Sequence, residues 1–252
     1  MWTDVVDLRD FYGRRLGRTA KRMIRGRIRA IWPDVSGQRV LGLGFATPYL
    51  SMFRGEAERV LAVMPAGQGV LHWPVGEQGL SALADETDLP LPDLSVDRVL
   101  IVHGIESAEQ LRPMMREVWR VLTDSGRVII VTPNRRGLWA RFESTPFGFG
   151  RPFSRSQIVR LLRENMFMPL DVQRALFAPP VNWRLVQGSA AAWEKVGTRL
   201  FPAAAGVLVV EAAKQMYAQP VKTEGAADRA FESVRRPQRS LNRHGRSRLH
   251  DD

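Results

Sequence analysis

Three loops in this chain carry residue types that can do chemistry. Gly42-Leu43-Gly44-Phe45-Ala46-Thr47 follows an apolar run and precedes a short helical pattern, so its backbone can approach a nucleotide-like ligand closely. His103-Gly104-Ile105-Glu106 places an imidazole and a carboxylate three residues apart. An unshifted histidine titrates near neutral pH, which makes His103 the best-placed general base, with Glu106 beside it. The alternative, that both are hydrogen-bonded wall residues, stays open. Arg135-Arg136 opens a stretch in which glycines alternate with aromatics, Trp139 to Phe153, the composition of a mobile cover over a pocket. Its arginines either meet an acidic substrate or face water while Trp139, Phe142 and Phe147 cap the core.

Other chemistries are excluded or demoted. There is no cysteine, hence no thiolate nucleophile or thiolate metal site, and the four histidines show no ligand spacing. Neither a G-x-S-x-G elbow nor a G-x-x-x-x-G-K loop occurs. A nicotinamide fingerprint would need a glycine at Thr47 and an acid where Met64 closes the second apolar run.

The elements that must position these loops are legible. Four apolar runs, each opened by an arginine, begin at Arg39, Arg59, Arg98 and Arg127. Continuous apolarity marks strands covered on both faces, the habit of a parallel sheet. Between them lie helical patterns. One is expected from Ala108 to Leu122, with a Ser107–Gln110 capping box at its start and an Asp124-Ser125-Gly126 turn at its end; another is opened by Ser154 with Gln157 and runs through Met166. The alternation implies an α/β fold with an open, doubly wound sheet that binds ligands at the carboxyl ends of its strands.

A more specific pattern occupies residues 83–132: Leu89-Pro90-Leu91-Pro92-Asp93, Ser95-Val96-Asp97, a buried strand, then Glu117-Val118-Trp119-Arg120-Val121-Leu122. It resembles the class I S-adenosylmethionine-dependent methyltransferases, in particular the type-11 group. The resemblance implies a Rossmann-like, mostly parallel seven-stranded sheet whose last two elements, near Asp171–Phe177 and Gly206–Ala212, form a reversed strand pair. It implies S-adenosylmethionine as cofactor and an unspecified methyl acceptor. Carried across, the family's cofactor site falls on Gly42, Gly44, Ala46, Met64, Asp85 and Glu86. Asp85 stands where the family's acid meets the adenine amino group, and Glu86 is a neighbour able to compensate, as is Gln68. His103 and Glu106 border the methyl-transfer pocket and are the catalytic candidates. Two positions depart: Gly42 replaces an acid, and Met64 replaces the carboxylate that takes the ribose hydroxyls. Losing two charge-assisted hydrogen bonds without replacement costs about 3 to 6 kcal/mol, a hundredfold or more in affinity. A methyltransferase-like binding or regulatory subunit without chemistry is therefore the rival expectation.

The chain of 252 residues carries a formal charge of +11, concentrated at its ends. Residues 1–36 hold nine basic and four acidic side chains, and residues 229–252 hold seven arginines and three acids. Leu8, Tyr12, Leu16, Ala20, Ile24 and Ile28 recur at four-residue spacing, which predicts a basic N-terminal helix with a buried stripe. The expected organisation is a helical extension over 1–36, a methyltransferase-like domain over 37–218 and a disordered Arg-rich tail over 219–252. The basic flanks suit an anionic partner, nucleic acid or a phospholipid surface, and an RNA-associated role is the third reading. The longest apolar run, Ala203–Val210, is too short to cross a bilayer, and no secretory signal pattern opens the chain, so a cytoplasmic address is expected.

Overall fold

The computed structural model describes residues 4–180 and 204–216, together with Trp193 and Gly197. The tail expected to be disordered, residues 219–252, lies outside the described residues. Met1–Tyr217 form one compact unit.

Seven strands make one sheet: β1 (Arg39–Gly44), β2 (Arg59–Pro65), β3 (Ser81–Ala84), β4 (Val96–Val102), β5 (Leu122–Pro133), β6 (Phe167–Ala175) and β7 (Val207–Lys214). Their order is β3-β2-β1-β4-β5-β7-β6. Pairing is parallel from β3 through β5, and β7 is antiparallel to both β5 and β6. The expected reversed pair forms: β6 and β7 are antiparallel neighbours placed in the order β7-β6, with β7 running against the rest of the sheet. Alternate residues of each central strand enter two separate cores. Val40, Met64, Leu100 and Ile129 pack on one side with Leu16, Ile24 and Tyr49, while Leu41, Val63, Val99 and Ile130 pack on the other with Met115, Val118 and Leu162. That two-sided burial is the physical reason for the unbroken apolar runs.

The N-terminal stripe is buried as its spacing predicts, but on two helices, α1 (Val5–Gly13) and α2 (Arg15–Ile31). Asp4 caps α1, accepting from the Val6 amide at 2.6 Å. Arg14 is extended, with φ −76° and ψ 163°, and breaks the single helix expected. Gly17 explains itself through packing, since a Cβ there would lie 2.0 Å from the Phe11 carbonyl oxygen. Val5, Leu8, Leu16, Ala20, Ile24 and Ile28 share one core cluster with side chains of the sheet.

Two helices pack on the other face: α4 (Leu111–Val121) and α5 (Arg155–Glu164). A single turn, α3 (Thr47–Leu50), follows β1. The Ser154–Gln157 capping box forms as expected. Its helix stops short of Met166, which lies beyond Asn165 at φ +62°. The Ser107–Gln110 box does not form. Ser107 Oγ donates instead to the His103 and Gly104 carbonyls, each at 3.3 Å, and the helix starts at Leu111. Nor is Asp124-Ser125-Gly126 a turn, because β5 begins at Leu122, which pairs with Val96.

The sequence motifs meet in space. Glu117 accepts from the Leu89 amide at 2.9 Å, while the Arg120 guanidinium donates to the Leu89 and Leu91 carbonyls, to Asp93 and to Glu117 itself. The helix α4 thereby fixes the loop that leads from β3 to β4. Asp97 accepts from the Arg39 backbone and guanidinium, locking the starts of β1 and β4 together.

Candidate functional site

The loop after β1 is folded hard against the end of β4. The Phe45 amide donates to the Val102 carbonyl at 2.8 Å. Gly44 has φ +78°, and a Cβ there would stand 2.4 Å from that same oxygen, so only glycine serves. Gly42 is enclosed differently: its Cβ would meet Leu50 Cδ1 at 2.5 Å and the Ala46 methyl at 2.8 Å. Ala46 is buried. Met64 is fully buried among core side chains, its sulfur 3.4 Å from the Leu71 amide.

A cavity of about 440 Å³ opens at the carboxyl ends of β2, β3 and β4. Gln68, Asp85, Glu86, Thr87, Gly104 and Ser107 are among its walls. Asp85 accepts from the Thr87 amide at 2.8 Å and the Thr87 hydroxyl at 2.7 Å, and these bonds hold its carboxyl below the usual aspartate range against the opposing effect of burial. Gln68 donates from Nε2 to the His103 carbonyl, while its Oε1 is buried with no hydrogen-bond partner. The structure thus brings Asp85 and Glu86 to one cavity, puts Gly42, Gly44 and Ala46 in the neighbouring loop, and turns Met64 into the core.

His103 joins the elements. It sits at φ +50° directly after β4 and is buried. Its Nε2 lies 2.8 Å from the Tyr12 hydroxyl, which accepts from the Tyr49 hydroxyl at 3.0 Å. That order assigns the Tyr12 proton toward His103 and leaves the ring proton on Nδ1. On that side Glu106 Oε1 stands at 3.3 Å, an ion-pair distance without hydrogen-bond geometry. Burial, then the neighbouring Tyr49, pushes the Tyr12 hydroxyl well above its ordinary pKa, so it remains a donor. The Tyr12 ring stacks on Phe45 with centroids 5.8 Å apart, and Phe147 covers the imidazole at 4.9 Å. The start of α1 is tied to the loop after β2 by the Val5 amide donating to the Gln68 carbonyl at 2.8 Å.

Tyr12 and Tyr49 have their places here from structure alone. Tyr12 belongs to the i, i+4 apolar stripe, where it is indistinguishable from a core residue. In the cover segment Trp139 and Phe147 are buried caps, whereas Phe142, Arg135 and Arg136 are exposed. The segment closes on the site through Arg151, whose amide donates to the Glu106 carbonyl at 2.8 Å. Gly150 permits that approach, since a Cβ there would lie 2.5 Å from the same oxygen.

Part of this site fits an adenosylated sulfonium. The cavity volume lies within the usual range for small ligands, and Gln68 Oε1 is a buried acceptor awaiting a donor. The fit rests on the adenosine end. Toward β1, Tyr12 and Phe45 stand over the glycine loop, and no carboxylate occupies positions 42 or 64.

Residues 40–130 match the family model described as a methyltransferase domain. A demethylmenaquinone methyltransferase of Clavibacter sepedonicus is 32% identical over 109 residues, 40% of this chain and 43% of that protein. The ubiquinone/menaquinone C-methyltransferase UbiE of Rubrivivax gelatinosus is 31% identical over 113 residues, 42% of this chain and 43% of its own length. The chain thus spans less than half of these curated relatives. Among solved structures, a methyltransferase of Thermotoga maritima described as S-adenosylmethionine-dependent superposes with a TM-score of 0.57 at 18% identity, over 84% of this chain and 96% of the other. The fold is the class I methyltransferase fold, and the match to the methyltransferase-domain model lies within it, from β1 into β5.

Proposed function

We propose that the chain is an S-adenosylmethionine-dependent methyltransferase, with the adenosine held in the cavity at the ends of β2, β3 and β4. The observation that carries this reading is the buried, unpartnered Oε1 of Gln68 in the wall of that cavity, beside Asp85 and Glu86. Asp85 and Glu86 accept from the exocyclic amine, and Gln68 takes a ribose hydroxyl in place of the carboxylate the family carries at position 64. The backbone from Gly42 to Ala46 borders the remaining end, where Gly42 and Met64 contribute packing alone. When bound, S-adenosylmethionine supplies a methyl group already activated by its sulfonium.

The chain's own contribution is then alignment, exclusion of water and proton handling. Phe147, Trp139 and Phe11 keep solvent from His103. His103 has its one lone pair at Nε2, where the Tyr12 hydroxyl donates, so it takes the acceptor's proton when the acceptor displaces that hydroxyl, and Glu106 then faces the imidazolium at Nδ1. The curated relatives are named for quinone precursors, so a quinol ring is the first acceptor class to assay. An anionic partner for the basic flanks and a cytoplasmic location belong to the same proposal.

The rival reading, a methyltransferase-like subunit without chemistry, is favoured by one relationship: Tyr12 and Gln68 both bond to His103 across the site. Calorimetry with S-adenosylhomocysteine separates the two. Saturable binding weakened by Gln68→Ala supports the enzyme; no heat and no thermal shift at millimolar ligand supports the rival.

A further inference from the structure

The cover segment has an outer surface that the methyl-transfer reading leaves unused. Leu138 and Phe142 flank a one-turn 3-10 helix, Trp139–Arg141. Trp139 is buried and anchored, its Nε1 donating to the Ala178 carbonyl at 2.8 Å. Leu138 and Phe142 instead remain 39% and 40% exposed. Arg135, Arg136 and Arg141 lie within the same eight-residue stretch of chain, all exposed and none in an ion pair among the described residues. Exposed apolar side chains on a segment with three exposed arginines and one exposed acid, Glu143, match the boundary between lipid headgroups and acyl chains.

The neighbouring helices extend the charge. The aromatic contact between Phe11 and Phe147, 6.1 Å between centroids, puts the α1–α2 junction beside the cover segment. Arg14, Arg15 and Arg18 are exposed at that junction, and α2 contains no acid to neutralise them. The buried stripe of α2 is already used against the sheet, so this helix offers charge without insertion. Leu138 and Phe142 provide the insertion.

We propose that this face docks on an anionic bilayer surface, with Leu138 and Phe142 entering the interface and Arg135, Arg136, Arg141 and the α1–α2 arginines meeting lipid phosphates. The aliphatic Leu138 favours lipid over polynucleotide, because base stacking on single strands uses aromatic faces. Leu138 and Phe142 follow the carboxyl end of β5, the end of the sheet at which the candidate site lies. The proposal stands whether or not the chain transfers methyl groups.

The test is sedimentation of the full chain with vesicles of phosphatidylcholine alone and of phosphatidylcholine with phosphatidylglycerol, at low and physiological salt. Uptake is expected on the anionic vesicles only. The triple variant Arg135→Gln/Arg136→Gln/Arg141→Gln should weaken it about a hundredfold, and Leu138→Ser/Phe142→Ser about tenfold or more, with thermal unfolding of both variants close to that of the parent. Absence of uptake at low salt, uptake that both variants retain in full, or preference for single-stranded RNA over anionic vesicles at equal phosphate would each overturn the proposal.

Discussion

The Tyr12 hydroxyl and His103 Nε2 lie 2.8 Å apart in the protein interior although 91 positions separate them in the chain. One end of this bond belongs to the first helix and the other to the end of a central strand. It ties the N-terminal helices to the candidate site, and it completes a row of Tyr49, Tyr12, His103 and Glu106.

Tyr12→Phe removes the shared hydroxyl and leaves both the Tyr49 hydroxyl and the His103 nitrogen without a protein partner. A loss of about 1 to 3 kcal/mol is expected in denaturant unfolding. Adding Tyr49→Phe should cost less than the sum of the single variants, because one orphaned group disappears with it. Strict additivity would show that the row is not a coupled unit.

The clamp of α4 on residues 89–93 has a pH signature. The Arg120 hydrogen bond lowers the Glu117 carboxyl below its ordinary value, burial opposes it, and the Leu89 amide adds to the lowering. The folded pKa is thus below the unfolded value of about 4.3. Its stabilisation is present above that value and is lost as pH falls through the folded pKa. Glu117→Gln should lower stability at pH 7 and flatten the acid side of the stability profile by about one proton. An unchanged acid slope would remove Glu117 from the account.

Restoring acids at the departing positions should fail structurally. A Cβ at Gly42 needs the space held by Leu50 and Ala46, and a carboxylate at position 64 would replace a fully buried methionine. Gly42→Asp is expected to destabilise by about 1 to 3 kcal/mol through overpacking. Met64→Asp is expected to abolish the folded state by burying an unpaired charge in the core. A folded Met64→Asp protein with ordinary thermal stability would show that the strand end opens more freely than its packing implies.

These packing relations also explain what sequence alone conveyed. The four central strands were legible because each is apolar on both faces, and the segments 89–93 and 117–122 through the family they resemble, whereas the clamp of Glu117 and Arg120 on Leu89, Leu91 and Asp93 is visible only in the fold. The break at Arg14 was hidden, since the apolar stripe continues through it at unbroken spacing. The Ser107–Gln110 pattern misled because the Ser107 hydroxyl found nearer acceptors in the His103 and Gly104 carbonyls. His103 and Glu106 were visible as a pair, and Gln68 as a neighbour able to compensate. Tyr12 was not, because its role depends on a contact across 91 residues that local periodicity does not encode.

The most direct measurement is a calorimetric titration of S-adenosylhomocysteine into the full chain, repeated with Gln68→Ala and Glu86→Gln. Saturable binding at millimolar or tighter affinity is expected, weakened about fivefold to tenfold or more by Gln68→Ala, as befits the loss of about 1 to 1.5 kcal/mol of hydrogen bonding. Glu86→Gln should weaken it in the same direction. Binding absent in all three proteins, or present and indifferent to both substitutions, would contradict the placement of adenosine between β2, β3 and β4.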